Sequence, residues 1–426
     1  MLGLWFFLLA AVVTHGLARR HPGVAQALWV AFFVRFLAAV THAYVFPLPG
    51  GDSDAVRFEA LAWAWGQDGA VAALGHFRGP DSFFYCVKLA VLYGALGRSS
   101  LMAQALSVLA GTLSVFCAWL LGRELQGKRA GRKTAWCVAL FPAVVLFSVF
   151  TLRESYFVLC LTAGLYWAVR WRSDPNRLGR AVAALICWGI GVFYHGAMLM
   201  PILVFFLFLL RHCLWHCSGS LRNRRIPLLS AAIAASAVAA LAVILLGGVA
   251  IPKMGRGASG LLNMDRILRA TETRTVDTAA YPEWTVPEDA GDLVWNAPVR
   301  LAYFVWSPFP WDIRSRTHWI GFADSLLYWC LLLFLVANRK RLLRNPKARQ
   351  VFWLVLPLMF VFALGTGNFG TALRHRAKFA VAWIALAAPT ISAIRWRRIC
   401  EASIVCLRDG LKADKAAETY HRSCRL

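Results

Sequence analysis

Negative charge is what this chain has least of. In 426 residues, 21 Asp and Glu stand against 46 Lys and Arg, for a net +25. Charge of either sign is scarce, at 16% of residues where soluble domains carry roughly 25%. With 59% hydrophobic residues and a mean hydropathy of +0.57, that scarcity excludes a soluble fold with an anchor and indicates a polytopic membrane protein. No basic domain interleaved with aromatics stands apart from the apolar runs, so the positive charge does not point to nucleic acid. No internal repeat is evident either, which counts against the inverted-repeat architecture of many transporters. The 11 cysteines are odd in number and lie mostly inside apolar runs (Cys117, Cys137, Cys160, Cys187, Cys330), which argues against a disulfide framework. Met1 to Ala18 has no basic stretch before it and carries its charges after it, so it reads as a first span rather than a signal peptide.

What the chain has in plenty is apolar runs. A span needs about 20 apolar residues. Runs suited to this lie near 2–18, 25–47, 101–122, 134–152, 155–171, 181–196, 197–212, 227–251, 318–337, 351–367 and 377–394. The expected fold is therefore all-α, a polytopic transmembrane helical bundle of about eleven spans with outer-face interfacial helices. Basic residues cluster between the runs at Arg19-Arg20, Arg123 to Lys133, Arg170 to Arg180, Arg211 to Arg225, Arg339 to Arg349 and Arg395 to Arg398. Eleven spans beginning outside put every one of these clusters in the cytoplasm, as the positive-inside rule requires. Ser82 to Leu96 is apolar but short and carries Lys88, and a crossing there would invert the basic loop that follows. It is read as interfacial or re-entrant. Under this topology most acids collect on the outer face, which marks that face as the chemical one. His212-Cys213 and His216-Cys217 have metal-ligand spacing, though a cytoplasmic helix end with snorkelling polar residues explains them as well. The organisation that follows has the first two spans in 1–49, an outer acidic loop with interfacial helices in 50–100, and a transmembrane core in 101–251. An outer loop in 252–317, the C-terminal spans in 318–394 and a cytoplasmic basic tail in 395–426 complete it.

The outer face holds the residues of interest. Gly50 to Pro80 contains a D-x-D at Asp52 and Asp54, with Arg57 and Glu59 beyond. Ala55, Phe58, Leu61, Ala62 and Trp65 recur at three- and four-residue steps, so Ser53 to Trp65 reads as a helix lying on an interface. Acids there can accept a proton, hold a divalent metal, or cap a helix. Phe141 to Phe157 is loosened by Pro142 and ends its span at Arg153-Glu154, either a self-neutralising turn or an arginine poised for a phosphate. His195 falls in the next outer turn, where ligand contact and a structural role are both open. The aromatic stretch Pro298 to Pro308 runs on to Asp312, Arg314 and Arg316, which suits interface anchoring or a groove for a lipid phosphate. Gly365 to Phe379 is read as the last outer loop. Its Asn368 lies in a glycine-rich turn, and Arg374, His375, Arg376 and Lys378 open the final span against the positive-inside rule. Arginines at i, i+2 beside the free N–H groups of a helix start suit an anionic ligand, with pairing to Asp52, Asp54 or Glu154 as the alternative.

The acidic D-x-D-A element, the basic loop after the next spans, and F-P-x-x-x-x-x-S-x-x-x-x-R-E together resemble the GT-C type of membrane glycosyltransferase. In this chain the acidic element follows the second span rather than the first. The stretch G-N-F-G-T-A-L-R-H-R is similar to a late-loop element of bacterial exopolysaccharide-cluster membrane proteins, repeat-unit polymerases among them. The resemblance implies a polyprenyl-phosphate-linked sugar as donor, a glycan or lipid-linked acceptor, and membrane lipid as surroundings. It implies Asp54 as the base, with Asp52 assisting or joining it to hold a divalent cation, Mg or Mn. Arg153, Arg374 and Arg376 would hold the phosphate, with Arg314, Arg316 and His375 beside the lipid donor. Glu59, Glu154, His195 and Asn368 would contact substrate. A repeat-unit polymerase would use the same cations, and a lipid-linked glycan flippase is the competing class. The implied compartment is a bacterial inner membrane with the active face toward the periplasm.

Overall fold

The protein was analysed as a computed structural model, which describes residues 2–51, 54–81, 83–221, 250–251, 255–256, 268 and 279–393. Asp52, most of the run at 227–251 and the tail at 395–426 lie outside the described residues. The fold is an all-α bundle. The described residues form sixteen α-helices, with two-residue strands Ala250–Ile251 and Gly255–Arg256 pairing antiparallel.

The chain opens with α1 (Leu2–Arg20) and α2 (Ala25–Tyr44), followed by the short helices α3 (Asp54–Gly66), α4 (Ala70–Leu74) and α5 (Phe84–Leu96). Then come α6 (Ser100–Gln126), α7 (Lys128–Leu140), α8 (Pro142–Leu146), α9 (Glu154–Ser173), α10 (Leu178–Tyr194) and α11 (Leu199–Leu221). The C-terminal part holds α12 (Ala290–Trp306), α13 (Arg316–Ala337), α14 (Arg339–Arg344), α15 (Pro346–Leu364) and α16 (Phe369–Ala393). Among the described residues, six helical stretches could cross a membrane by length and composition: α1, α2, α6, Gly196–Trp215, α13 and α15. Of the other runs read as spans, α9 and α16 carry charges and α10 has only 17 residues.

The long helix α6 lies at the centre, packed against α1, α2, α7, α9 and α16. Its small residues permit this. A Cβ on Gly111 would stand 2.6 Å from the Ser148 side chain, so only glycine allows that approach. Around it α9 packs on α10, α3 on α5, α12 on α15, and α16 on α13 and α15.

Three sequence expectations change here. The run at 134–152 is not one span: α7 ends at Leu140, and Pro142, which lacks an N–H and clashes with the preceding turn, starts the separate helix α8. The break strands the last carbonyls of α7, and fully buried Arg35 of α2 takes them up. Its Nη1 donates to Ala139 O (3.0 Å), its Nη2 to Val138 O (3.4 Å) and its Nε to Ser148 Oγ (2.8 Å). The basic loop at 123–133 is almost wholly helical, turning only at Gly127, whose φ of +89° suits glycine. The outer loop at 365–379 is likewise mostly helix, because Asn368 Oδ1 accepts from Thr371 N (2.7 Å) and caps α16 at once.

The bundle has two chemically distinct ends. At one, Lys347 pairs with Glu124 (2.9 Å), Ser173 donates to Glu124 (2.9 Å), and Asp174 pairs with Arg177. His21, next to Arg19-Arg20, packs on Trp119 near the same end of α6, and His212, next to Arg211, packs on Trp171 near the end of α9. The start of α9 lies about 30 Å away by helix rise, close to the thickness of a hydrocarbon core.

Candidate active site

The opposite end gathers α3, α9 and α16 by their N-terminal turns. Asp54 is the first residue of α3, and Arg153-Glu154 the entry to α9. Arg374 and Lys378 sit four residues apart on α16, hence on one face. Arg374 is shared: Nη1 lies 2.6 Å from Asp54 Oδ2, and Nε 3.2 Å from Glu154 Oε1. Lys378 Nζ lies 3.6 Å from the same Glu154 oxygen and 3.0 Å from His375 Nδ1. Arg153 is buried beside them, its guanidinium 5.7 Å from the Phe58 ring and within electrostatic reach of Glu154, Arg374 and Asp54. A small cavity opens here between α6, α8, α9 and α16, walled by Gly111, Ser148, Glu154, Ser155, Arg374 and Lys378. Exposure separates the two acids: the Asp54 side chain is 40% exposed, that of Glu154 only 2%.

His195 stands behind this cluster. It caps the turn after α10 by accepting from Ala197 N (3.2 Å), and its ring lies 6.4 Å from His375 and 4.7 Å from Phe362. The structure thus brings together Asp54, Arg153, Glu154, Arg374 and His375, with His195 adjacent.

Other expected site residues are placed elsewhere. Arg376 is two residues from Arg374, and two residues on a helix are about 200° apart, so it points to the far side of α16. There it pairs with Asp324 (2.6 Å) and donates to the carbonyls of Val305 (3.2 Å), Ser307 and Gly321 (3.2 Å). With Nε also on Asp324, all five of its N–H groups are taken, and none is left for a phosphate. The sequence sets Arg374 and Arg376 beside the free N–H groups of a helix start, but α16 begins at Phe369, so both lie beyond its first turn and face opposite sides. Glu59 pairs with Arg98 (2.7 Å) and accepts from Tyr93 Oη (3.2 Å), fastening α3 to α5. Asn368 is a cap, and its backbone bridges Ala280. Arg314 is exposed, with its backbone N–H on His318 Nδ1 (3.1 Å). Arg316 is the first residue of α13.

Two site residues were not singled out in the sequence. Lys378 was visible only as part of a basic cluster, and its role needed the helix phase to be known. Arg35, which fixes Ser148 in the cavity wall, had a plain signal: an arginine in the middle of an apolar run is costly and needs partners.

A divalent cation needs several oxygen ligands that are not already neutralised. Among the described residues the site offers two carboxylates, Asp54 and Glu154, both held against cations. Arg153, Arg374 and Lys378 outnumber them, and no three His, Cys, Asp or Glu side chains gather as a metal would require. The described carboxylates alone do not make a site for Mg or Mn, and Asp52, the expected partner of Asp54 in holding one, lies outside the described residues.

No known family profile matches the chain, and no curated protein matches it. Among solved structures it is similar to the oligosaccharyltransferase of Archaeoglobus fulgidus in the apo form, with TM-score 0.47 and 14% identity over 88% of this chain and 52% of that one. It is similar also to the archaeal oligosaccharyltransferase from Archaeoglobus fulgidus in complex with an inhibitory peptide and a dolichol-phosphate, with TM-score 0.48 and 13% identity over 91% and 52%. The chain spans about half the length of these structures. A likeness this slight assigns no activity.

Proposed function

We propose that the protein is an integral membrane glycosyltransferase that moves a sugar from a polyprenyl-phosphate-linked donor to a hydroxyl of a glycan or lipid-linked acceptor. The observation that carries this reading is the linked set Asp54–Arg374–Glu154–Lys378, an exposed carboxylate joined through half-buried Arg374 to buried Glu154 and Lys378 beside a cavity. Glycosyl transfer needs both halves of that set. The acceptor oxygen bonds to the anomeric carbon while the bond from that carbon to the phosphate oxygen breaks, its electron pair leaving with the phosphate. The acceptor proton passes to a carboxylate, and cations stabilise the departing charge.

Asp54 is the base in this scheme, since Glu154 is too deeply enclosed to meet an acceptor. Arg374, Lys378 and Arg153 receive the phosphate. Arg374 Nη1 occupies Asp54 Oδ2, so the acceptor hydroxyl reaches that oxygen once phosphate draws Arg374 away. Glu154 keeps the cations assembled in the meantime. The active end faces the periplasm of a bacterial inner membrane, opposite the basic clusters.

The test is complementation of a host lacking this protein, with surface glycan and lipid-linked intermediates both assayed. Asp54→Asn and Arg374→Ala should insert at wild-type levels, lower transfer by about 100-fold or more, and accumulate a polyprenyl-linked precursor. A precursor one sugar short identifies a transferase, whereas a complete unpolymerised repeat identifies a repeat-unit polymerase. Unchanged glycan in both variants would overturn the proposal.

A further inference from the structure

Lys88 takes no part in the site described above. It lies in the middle of α5, a 13-residue helix too short to cross a bilayer, and is half-buried. Its ammonium sits 3.3 Å above the centre of the Tyr156 ring, with Tyr85 at 5.0 Å and Tyr194 at 5.7 Å. These three tyrosines come from α5, α9 and α10. Among the described residues no carboxylate pairs with Lys88, in contrast to Lys347 and Lys378. Tyrosine faces attract a cation but offset only part of the cost of taking it out of water. The cage therefore holds an amine whose charged form has no anionic counterpart among the described residues.

The surroundings indicate where such an anion comes from. Tyr194 stacks on Tyr156 at 5.1 Å, Phe84 lies 5.4 Å from Tyr194, and Phe193 lies 5.2 Å from Phe84 and 6.2 Å from Phe77. This aromatic wall leads from the cage to the outside of the bundle, where Phe77 is exposed. It continues down α10 as Val182, Ile186 and Ile190, all exposed on one face. From Val182 to Phe193 that apolar strip is about 16 Å long by helix rise, roughly half a hydrocarbon core. An acyl or prenyl chain lying along it would bring its head to Lys88.

We propose that Lys88, in its cage of Tyr85, Tyr156 and Tyr194, is the head-group contact of a second site that binds the phosphate of a lipid entering sideways from the outer leaflet along α10. This site lies on the α5–α10 side of α9, distinct from the Asp54–Arg374 cluster, and does not depend on the transfer reaction. Tyr156 faces it while Glu154, about 200° around the same helix, faces the cavity.

Binding of radiolabelled undecaprenyl phosphate to the full-length protein in detergent tests this directly, because the two sites can be counted. Wild type should hold two equivalents. Lys88→Met should lose one of them or bind it at least tenfold more weakly, while Lys88→Arg should restore it. Tyr156→Phe, which keeps the ring, should bind as wild type and control for disturbed packing. If Arg374→Ala keeps both equivalents while Lys88→Met loses one, this site stands and the phosphate role of the Asp54 cluster fails. Lys88→Met binding the same number of equivalents as wild type, with unchanged affinity, would overturn the inference. So would equal displacement by millimolar inorganic phosphate, since the lipid chain would then contribute nothing.

Discussion

Arg374 can serve Asp54 and Glu154 together because a guanidinium presents its donors as a planar fork, whereas an ammonium is a compact point. Among the described carboxylates Lys378 reaches Glu154 and not Asp54, and its other polar contact is His375. Arg374→Lys should therefore keep the charge but lose the bridge, and Lys378→Met should lose one phosphate contact and leave the bridge intact. The expected results, read from initial rates, are a fall of about 100-fold in transfer for Lys378→Met and a fall at least as large for Arg374→Lys. Because Asp54 and Glu154 are both held by side-chain cations, activity should survive dialysis against a chelator. Restoration by added Mg or Mn after such dialysis would show that the cation set is not sufficient. Much of this was legible before the structure: Asp54, Arg153, Glu154 and Arg374 all adjoin apolar runs, where an ionisable group calls for a reason. Arg376 and Glu59 satisfied the same criterion and turned out to be braces. Proximity to a boundary says that a charge is constrained, not which side of its helix it faces.

At the scale of the element, α16 carries two unrelated tasks on opposite faces. The face with Arg374 and Lys378 turns to α3 and α9, and the face with Arg376 locks onto Asp324 of α13 and the turn at 305–307. Both members of that second pair are buried, so removing one strands the other. Arg376→Met should lower the stability of the fold by about 3–5 kcal/mol, seen as a lower unfolding midpoint in detergent. Arg374→Ala, which leaves buried Glu154 its second partner Lys378, should lower that midpoint less than Arg376→Met does while cutting transfer by about 100-fold or more. The sequence could not separate the two residues because the first turns of α16 read as a glycine-rich loop. Asn368 as a cap, and the bridge to Ala280 from a distant segment, are what start the helix early. The break before Pro142 was signalled by the proline itself. That Arg35 would serve the stranded carbonyls depends on tertiary contact across about 100 residues, which no local pattern carries.

Across the whole molecule, the segregation of charge was the most legible feature, since it follows from composition between apolar runs and needs no side-chain geometry. The contacts of Glu124 with Lys347 and Ser173 at one end, and of Asp54 with Arg374 at the other, agree with it. Single cysteines at exposed Asp68 and Arg177 should therefore be labelled from opposite sides by a membrane-impermeant maleimide, Arg177→Cys from the cytoplasm and Asp68→Cys from outside. Labelling of both from one side would refute the two-ended arrangement. Less legible was the break in the run at 134–152, where the short helices α7 and α8, packed against α6 and α2, replace one continuous span.

The arginine divided between Asp54 and Glu154 bears on what this protein refuses to do. An activated sugar within reach of a free carboxylate is open to attack by water, and every such event wastes a lipid carrier. In the proposed reaction, Arg374 closed on Asp54 keeps that carboxylate engaged in the absence of a donor, and an arriving phosphate would draw the arginine away. Turnover would then have a fixed sequence, with the sugar carrier seated first and the hydroxyl partner second.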